Sequence, residues 1–262
     1  MYPYYEVKEF EKTYFYSISE FDNLNFPPHL HSYVELVYIK EGNVNVIINN
    51  NSKELVKGEL AIIFPDDIHS YNTEIYSKGI LLIFSPKIIG TFFNSIGGKT
   101  LENPYFFKDI CQGKINVFLN MLLEYEDNSN EYIIKGLLYA IFGALSSNFE
   151  YRKTDKFYDS TLQIVLKYIS KYYLNNISLD VMAKDLGYSK FYLSRVFNNK
   201  VGCNINDYIN KLRINRAQEY LKNTNMKVFD IALECGFESL RNFNRVFKNS
   251  TGLAPTKWKK SN

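Results

Sequence analysis

Two groups of residues have the types and spacing to do chemistry. Arg241, Asn244, Arg245 and Lys248 recur at i, i+3, i+4 and i+7, which is one stripe of a helix. Arg and Lys meet phosphates and guanine edges while Asn reads adenine, so this stripe suits duplex DNA. Phe191, Ser194, Arg195 and Asn198 repeat the spacing 50 residues earlier. An outward phenylalanine is odd on a solvated face and reasonable on one that touches thymine methyls. Far upstream, His29, His31 and Glu35 alternate, so an extended strand would turn all three to one face, and His69 follows later. Two imidazoles and a carboxylate can be three ligands of a divalent metal, with His69 a fourth, or the polar lining of a pocket.

The elements that must position the basic stripes are legible around them. Val228, Ile231 and Ala232 form the apolar side of a short helix that Gly236 ends. A second helix opens behind Ser239 and turns Phe243, Val246 and Phe247 inward, which makes a helix-turn-helix. Residues 179–202 repeat the unit: Ala183 and Gly187 lie 49 residues before Ala232 and Gly236, while Ser189, Phe197 and Gly202 lie 50 before Ser239, Phe247 and Gly252. Between the copies Ile205–Leu221 predicts one helix of 17 residues, about 25 Å long, enough with its turns to present two helices to major grooves one DNA turn apart. Ser189 and Ser239 are N-cap residues, and the amides behind them attract phosphate. The expected DNA-contacting set is therefore Ser189, Lys190, Phe191, Ser194, Arg195 and Asn198, then Ser239, Arg241, Asn244, Arg245 and Lys248. Arg213, on the linking helix, is read as an internal partner more than a phosphate contact.

The histidines belong to a different kind of chain. Leu36–Ile39, Val44–Ile48, Leu60–Phe64 and Ile80–Phe84 read as short strands. Glu41-Gly42-Asn43, Asn49–Ser52, Lys57-Gly58 and Pro65-Asp66-Asp67 read as the turns between them. This predicts a small barrel or sandwich over 1–100. A helical segment at 101–150 follows, with stripes Ile115, Phe118, Leu119, Leu122 and Ile133, Ile134, Leu137, Leu138, Ile141, Leu145 that either cap the barrel or pair two subunits. A charged linker occupies 151–159, and 160–262 is the helical domain, opened by a helix with Leu162, Val165, Leu166 and Ile169 inward.

Composition sets the boundaries. Of 262 residues, 46% are hydrophobic and 23% charged, enough for real cores. The net charge of +3 hides a division: from Lys156 onward 18 Lys/Arg face 8 Asp/Glu, and the rest of the chain is acidic. A basic C-terminal part beside an acidic N-terminal one points to an anionic polymer as partner of one end. Cys111, Cys203 and Cys235 are odd in number and widely spaced, which argues against a disulfide framework or structural zinc. With no secretory pattern at the start and no apolar run long enough for a bilayer, a cytoplasmic protein without membrane contact is expected.

Residues Ile231-Ala232, Gly236-Phe237, Ser239, Phe243, Arg245, Phe247-Lys248, Gly252 and Pro255 closely resemble the C-terminal signature of the AraC/XylS family of bacterial transcription regulators. The stretch His29-x-His31-x3-Glu35-x6-Gly42 is similar to the first motif of the cupin superfamily. The second motif departs from the pattern: Pro65 comes one residue late, Asp67 stands where glycine is usual, and Asn72 lies one residue short. These resemblances imply a multidomain protein with an N-terminal mainly-β cupin-like barrel and following helices, and a C-terminal all-α tandem helix-turn-helix. They imply a regulator of transcription that binds double-stranded promoter or operator DNA and answers to a small-molecule effector. Its effector pocket would be lined by His29, His31, Tyr33, Glu35 and His69. A homodimer is expected, with RNA polymerase a partner if the protein activates; no catalysis and no cofactor are expected. A metal at His29, His31, Glu35 and His69, as in a metal-dependent cupin enzyme, is the alternative for the barrel. A regulator that has lost its ligand and acts through protein partners is the other.

Overall fold

Alternating β-branched and aromatic residues from Tyr16 to Phe84 fold as seven strands: β1 (Tyr16–Asp22), β2 (Phe26–His29), β3 (Val34–Ile48), β4 (Asn51–Val56), β5 (Leu60–Ile63), β6 (His69–Asn72) and β7 (Ser77–Phe84). The structure, a computed structural model, describes residues 16–49, 51–108, 113–125, 130–152 and 160–261. Cys111 and linker residues 153–159 lie outside these. The chain divides into two compact units, Met1–Tyr158 and Asp159–Asn262.

β3 organises the first unit. Glu41-Gly42-Asn43, expected as a hairpin turn, instead lies inside this single strand of 15 residues. Its first half pairs with β7 and β5, its second with β4 and β6, all antiparallel. The changeover comes where the register slips between Ile39 and Glu41 and Gly42 adopts φ +68°. A Cβ at Gly42 would collide with the Tyr76 carbonyl, so only glycine lets the strand bend from one half of the barrel into the other. The turns at Lys57-Gly58 and Pro65-Asp66 form as expected, with φ +88° at Gly58 and +69° at Asp66.

Alternation along the strands makes two cores. Val34, Leu36, Ile62, Leu82 and Phe84 face outward, whereas Val37, Ile39, Val46, Ile63 and Ile83 fill the barrel. Two helices, α2 (Lys114–Leu123) and α3 (Glu131–Ser146), lay Ile115, Leu119, Leu122, Ile134, Leu138, Ile141 and Leu145 on the outward core. Both apolar stripes are thus used within the chain. A short helix α1 (Gly90–Ile96) precedes them. Residue 100, expected to end the barrel, falls inside strand β8 (Thr100–Leu101), and β9 (Tyr105–Phe106) returns to pair with β5. The Tyr105 hydroxyl then donates to the carbonyls of Val46 and Asn51, tying β9 to the opposite side of the barrel. The first two residues of the expected linker, Tyr151–Arg152, are strand β10, paired with β8. Phe149, buried against Phe106 and Phe92, holds the chain there.

The second unit is all helix: α4 (Ser160–Tyr172), α5 (Leu179–Leu186), α6 (Lys190–Val201), α7 (Ile205–Asn223), α8 (Val228–Glu234), α9 (Leu240–Thr251) and α10 (Pro255–Ser261). α5–α6 and α8–α9 are the two helix-turn-helix units. α7, at 19 residues, is about 28 Å long. Its residues Ile214, Ala217 and Leu221 share one core with Ile231, Ala232, Phe237, Phe243 and Phe247.

Candidate functional site

Each recognition helix is started and stopped by local chemistry. The Ser189 hydroxyl accepts from the Tyr192 amide at 3.2 Å, and the Ser239 hydroxyl from the Asn242 amide at 3.3 Å. Gly202 and Gly252 end the helices in the left-handed conformation. α6 buries Leu193 and Phe197, and α9 buries Phe243 and Phe247. What remains outward is the stripe: Lys190, Phe191, Arg195 and Asn198 are exposed on α6, with Ser194 half-buried. On α9, Arg241, Asn244, Arg245 and Lys248 are all exposed. Phe191 is 79% exposed, too much for any part in the core.

Several of these side chains already have partners. Lys190 Nζ lies 3.0 Å from Asp180. Arg245 donates to Asn242 at 2.9 Å and edges a cleft of about 350 Å³ between α7 and α9, which Asp207, Lys211 and Asn249 also line. Lys211 and Asn249 went unnoticed in the sequence because they lie off the i, i+3, i+4, i+7 stripe. Arg213 faces inward: it donates to the carbonyls of Tyr173 and Asn175, both at 2.7 Å, and lies over the Phe237 ring.

In the first unit His29, His31, Glu35 and His69 converge, their ligating atoms all within 4.8 Å of one another. The route differs from the expected one. His29 and His31 do not share a strand: β2 ends at His29 and the chain bends before β3 begins at Val34. Convergence comes from pairing, with His29 directly opposite His69 on β6 and the rings 4.0 Å apart. His31 Nε2 then meets Glu35 Oε2 at 2.9 Å, and His69 Nε2 stands 3.4 Å from the same oxygen. Tyr33, also assigned to the pocket, is buried among the barrel's apolar side chains at 6.0 Å from the His31 ring.

Around the four lies a shell of fixed partners. His29 Nδ1 bonds the Pro27 carbonyl at 3.0 Å and His69 Nδ1 the Asp67 carbonyl at 2.9 Å. The Asp67 carboxylate is held by Asn49, the Phe64 amide and the Thr100 hydroxyl. Tyr71 donates to Glu35 Oε1 in a short hydrogen bond. Tyr71 was overlooked in the sequence, although the period of two from His69 places it on the same face. Burial, then the charge of His69, pushes the His29 ring well below its ordinary value. Burial acts to raise the Glu35 carboxyl, but the charge of His69 and the hydrogen bond from His31 outweigh it and hold it well below its ordinary range.

Comparison with known proteins places both regions. Residues 14–110 match the family model described as AraC-like ligand binding domain, and residues 182–261 match that of a helix-turn-helix domain. The HTH-type transcriptional activator RhaR of Salmonella arizonae is 24% identical over 248 residues, covering 89% of this chain and 87% of its own. Among solved structures, ToxT from Vibrio cholerae O395 aligns with a TM-score of 0.55 at 15% identity, over 95% of this chain and 98% of its own. ToxT of strain SCE256 with an unsaturated fatty acid bound gives 0.54 at 14%, over 94% of each. These two likenesses show a shared fold.

Proposed function

We propose a division of labour for this chain, which belongs to the AraC/XylS family of transcription regulators: α6 and α9 read DNA, and the barrel sets when they do so. The protein is a DNA-binding regulator of transcription with an effector-binding domain ahead of its helix-turn-helix domain. In our reading Arg241, Asn244 and Arg245 contact base edges from α9, while Phe191, Ser194 and Arg195 do so from α6. Lys190, Asn198 and Lys248 meet phosphates, with the amides behind Ser189 and Ser239. One observation carries it: the same stripe occurs twice, on two serine-capped helices joined by a single helix of 19 residues. A solvated face explains one basic stripe; it does not explain two in register.

In vitro selection from randomised duplexes with the full chain tests this. The expected product is a motif of two short half-sites one helical turn apart, with affinity that falls steeply with salt. Recovery of no motif, or salt-insensitive binding, refutes the assignment.

The finer parts follow from this reading. The protein acts in the cytoplasm without catalysis of its own; among the described residues no helix is long and apolar enough to cross a membrane. The outer faces of α2 and α3, where Val117, Met121 and Tyr132 are exposed, pair two copies into a homodimer. Light scattering tests this, with Met121→Lys expected to give a monomer. RNA polymerase is the further partner at activated promoters. The effector enters the barrel beside His29, the least buried of the four polar residues. Fatty acids join sugars and organic acids among the compounds to screen by thermal melting, since a ligand bound only by the folded state raises Tm.

A further inference from the structure

We propose that Arg213 sets the phasing of the two reading helices, so that the protein selects half-sites by their spacing as well as by their sequence. Arg213 lies on α7, yet its side chain crosses to the helix that opens the other helix-turn-helix. Nε donates to the Tyr173 carbonyl and Nη2 to that of Asn175, both at 2.7 Å, from 40 and 38 residues away in the chain. Tyr173 closes the last turn of α4 with its amide on the Ile169 carbonyl. Its own carbonyl lies beyond the intrahelical ladder, where arginine is a suitable donor. Leu174, between the two gripped residues, is held from a second side. The Gly236 turn approaches it so closely that a Cβ there would stand 2.5 Å from the Leu174 carbonyl oxygen.

What is gripped there is part of the first reader. α4 packs along α6. Its Tyr168 hydroxyl donates to Asp185 of α5 at 2.6 Å, and its Thr161 hydroxyl lies 3.3 Å from that of Tyr192 on α6. Arg213 for its part belongs to the second reader, since α7 buries Ile214, Ala217 and Leu221 against Ile231, Phe243 and Phe247. The guanidinium therefore joins two bodies that the chain connects through one turn, Gly202-Cys203-Asn204. That turn is a natural pivot, with Gly202 at φ +77°. Phe197 of α6 packs edge-on to Tyr208 of α7, the rings 5.2 Å apart, and attaches the bodies beside the pivot. Arg213 attaches them again about 7.5 Å farther along the helix axis. An attachment at the pivot leaves a swing about it, and one farther out stops that swing.

Half-site spacing is sensitive to such an angle. One base pair added between half-sites turns the second by about 35° and moves it by about 3.4 Å. A rigid pair of readers cannot follow that change, whereas a hinged pair can. Arginine suits the task better than lysine, because its planar fork holds two carbonyls in one fixed direction. The ordinary account is that Arg213 completes the end of α4 and adds stability. A donor close to α4 in the chain would suffice for that. Here the donor comes from the opposite reader, and the Gly236 turn of that same reader closes on the same three residues. The inference rests on the reading of α6 and α9 as the DNA-contacting helices, and it adds how their mutual placement is enforced.

The test uses the full chain and two readouts. The first needs no DNA: nitroxide labels on unnatural side chains replace Lys200 and Ser250, equivalent exposed positions near the ends of α6 and α9. Pulsed electron paramagnetic resonance should give one narrow distance in the parent and a broader distribution in Arg213→Ala, with the circular dichroism spectrum unchanged. The second readout is affinity for duplexes that carry the selected half-sites at the selected spacing, with two base pairs inserted or removed, and for single half-sites. The parent should lose about tenfold or more at the wrong spacings, and Arg213→Ala should stay within about threefold across all of them, because simultaneous engagement depends on geometry. Single half-site affinity should not change. Arg213→Lys should fall between the two, and it replaces the alanine variant if that one does not fold. The inference is overturned if the label distance stays narrow, or if the variant weakens on every duplex by one factor and keeps its spacing preference. A parent chain that selects no motif refutes the DNA reading and the spacing role with it. A parent that binds while the variant keeps its spacing preference sinks this inference alone.

Discussion

At Gly187, the turn glycine of the first helix-turn-helix, an added Cβ would meet nothing within 4 Å. At Gly236, its counterpart 49 residues on, the same atom would meet the Leu174 carbonyl oxygen at 2.5 Å. Both glycines are left-handed, with φ +74° and +79°, so the backbone plan is shared and the packing is not. The second helix-turn-helix is locked from several sides. Arg213 ties α7 to the carbonyls of Tyr173 and Asn175, and Phe247 packs edge-on to Trp258 of α10. The first helix-turn-helix leaves Phe191 in solvent and holds Lys190 through an exposed pair with Asp180. In the proposed reading of DNA, the second helix-turn-helix serves as the anchor and the first sets sequence preference.

The largest effect should come from forcing that lock. Gly236→Ala combines left-handed strain with a backbone collision and should cost about 3 kcal/mol, whereas Gly187→Ala, strained but unobstructed, should cost about 1 kcal/mol. Trp258, the only tryptophan, sits in the second unit and reports its unfolding in urea by fluorescence. Equal losses at the two glycines would break the contrast.

Next in size is Arg245→Ala, expected to cost ~1–3 kcal/mol of specific DNA affinity if its guanidinium reads a base. A gel-shift titration on the selected duplex measures this. Loss that is uniform over all sequences, with a shallower salt slope, would move Arg245 from base reader to phosphate contact.

How much could be read in advance follows the range of the interactions involved. The serine caps, glycine stops and outward stripes of α6 and α9 are set within a few residues of each other, and the sequence shows them directly. β3 could not be read so: Gly42 looks like a hairpin turn, and only its approach to the Tyr76 carbonyl makes it a bend within one strand. The histidine cluster lies between these cases. Residue types mark it, but alternation does not place it, since pairing of β2 with β6 and not alternation along one strand brings His29 to His69. Tyr71 and the Asp67 anchors depend on other long-range contacts, since β6 also pairs with β3 and Thr100 comes from β8. The join at β8 and β10 was missed for a like reason, as Tyr151 and Arg152 are charged and aromatic residues whose strand exists only against Thr100 and Leu101.

The caps provide a control on the comparison. Ser189→Ala and Ser239→Ala each remove one hydrogen bond to an N-terminal amide and should each cost about 1 kcal/mol. Because both caps are exposed and accept their amides at nearly the same distance, 3.2 and 3.3 Å, their losses should match even though the glycines differ. A mismatch, seen in the same urea experiment with thermal melts as a check, would place the difference in the helices and not in the turns.

The smallest change in stability is expected where the change in specificity is sharpest. Phe191 buries almost nothing, so Phe191→Ala should leave stability within about 0.5 kcal/mol, as for most surface substitutions away from packing. If the ring lies against a thymine methyl, repeating the duplex selection with this variant should relax one position of one half-site and leave the other half-site unchanged. An altered motif in both half-sites would mean that α6 and α9 are coupled on DNA, and an unaltered motif would remove Phe191 from the reading face. Only the first outcome preserves the view of α6 as the adaptable reader, because it separates what the helix touches from what holds it in place.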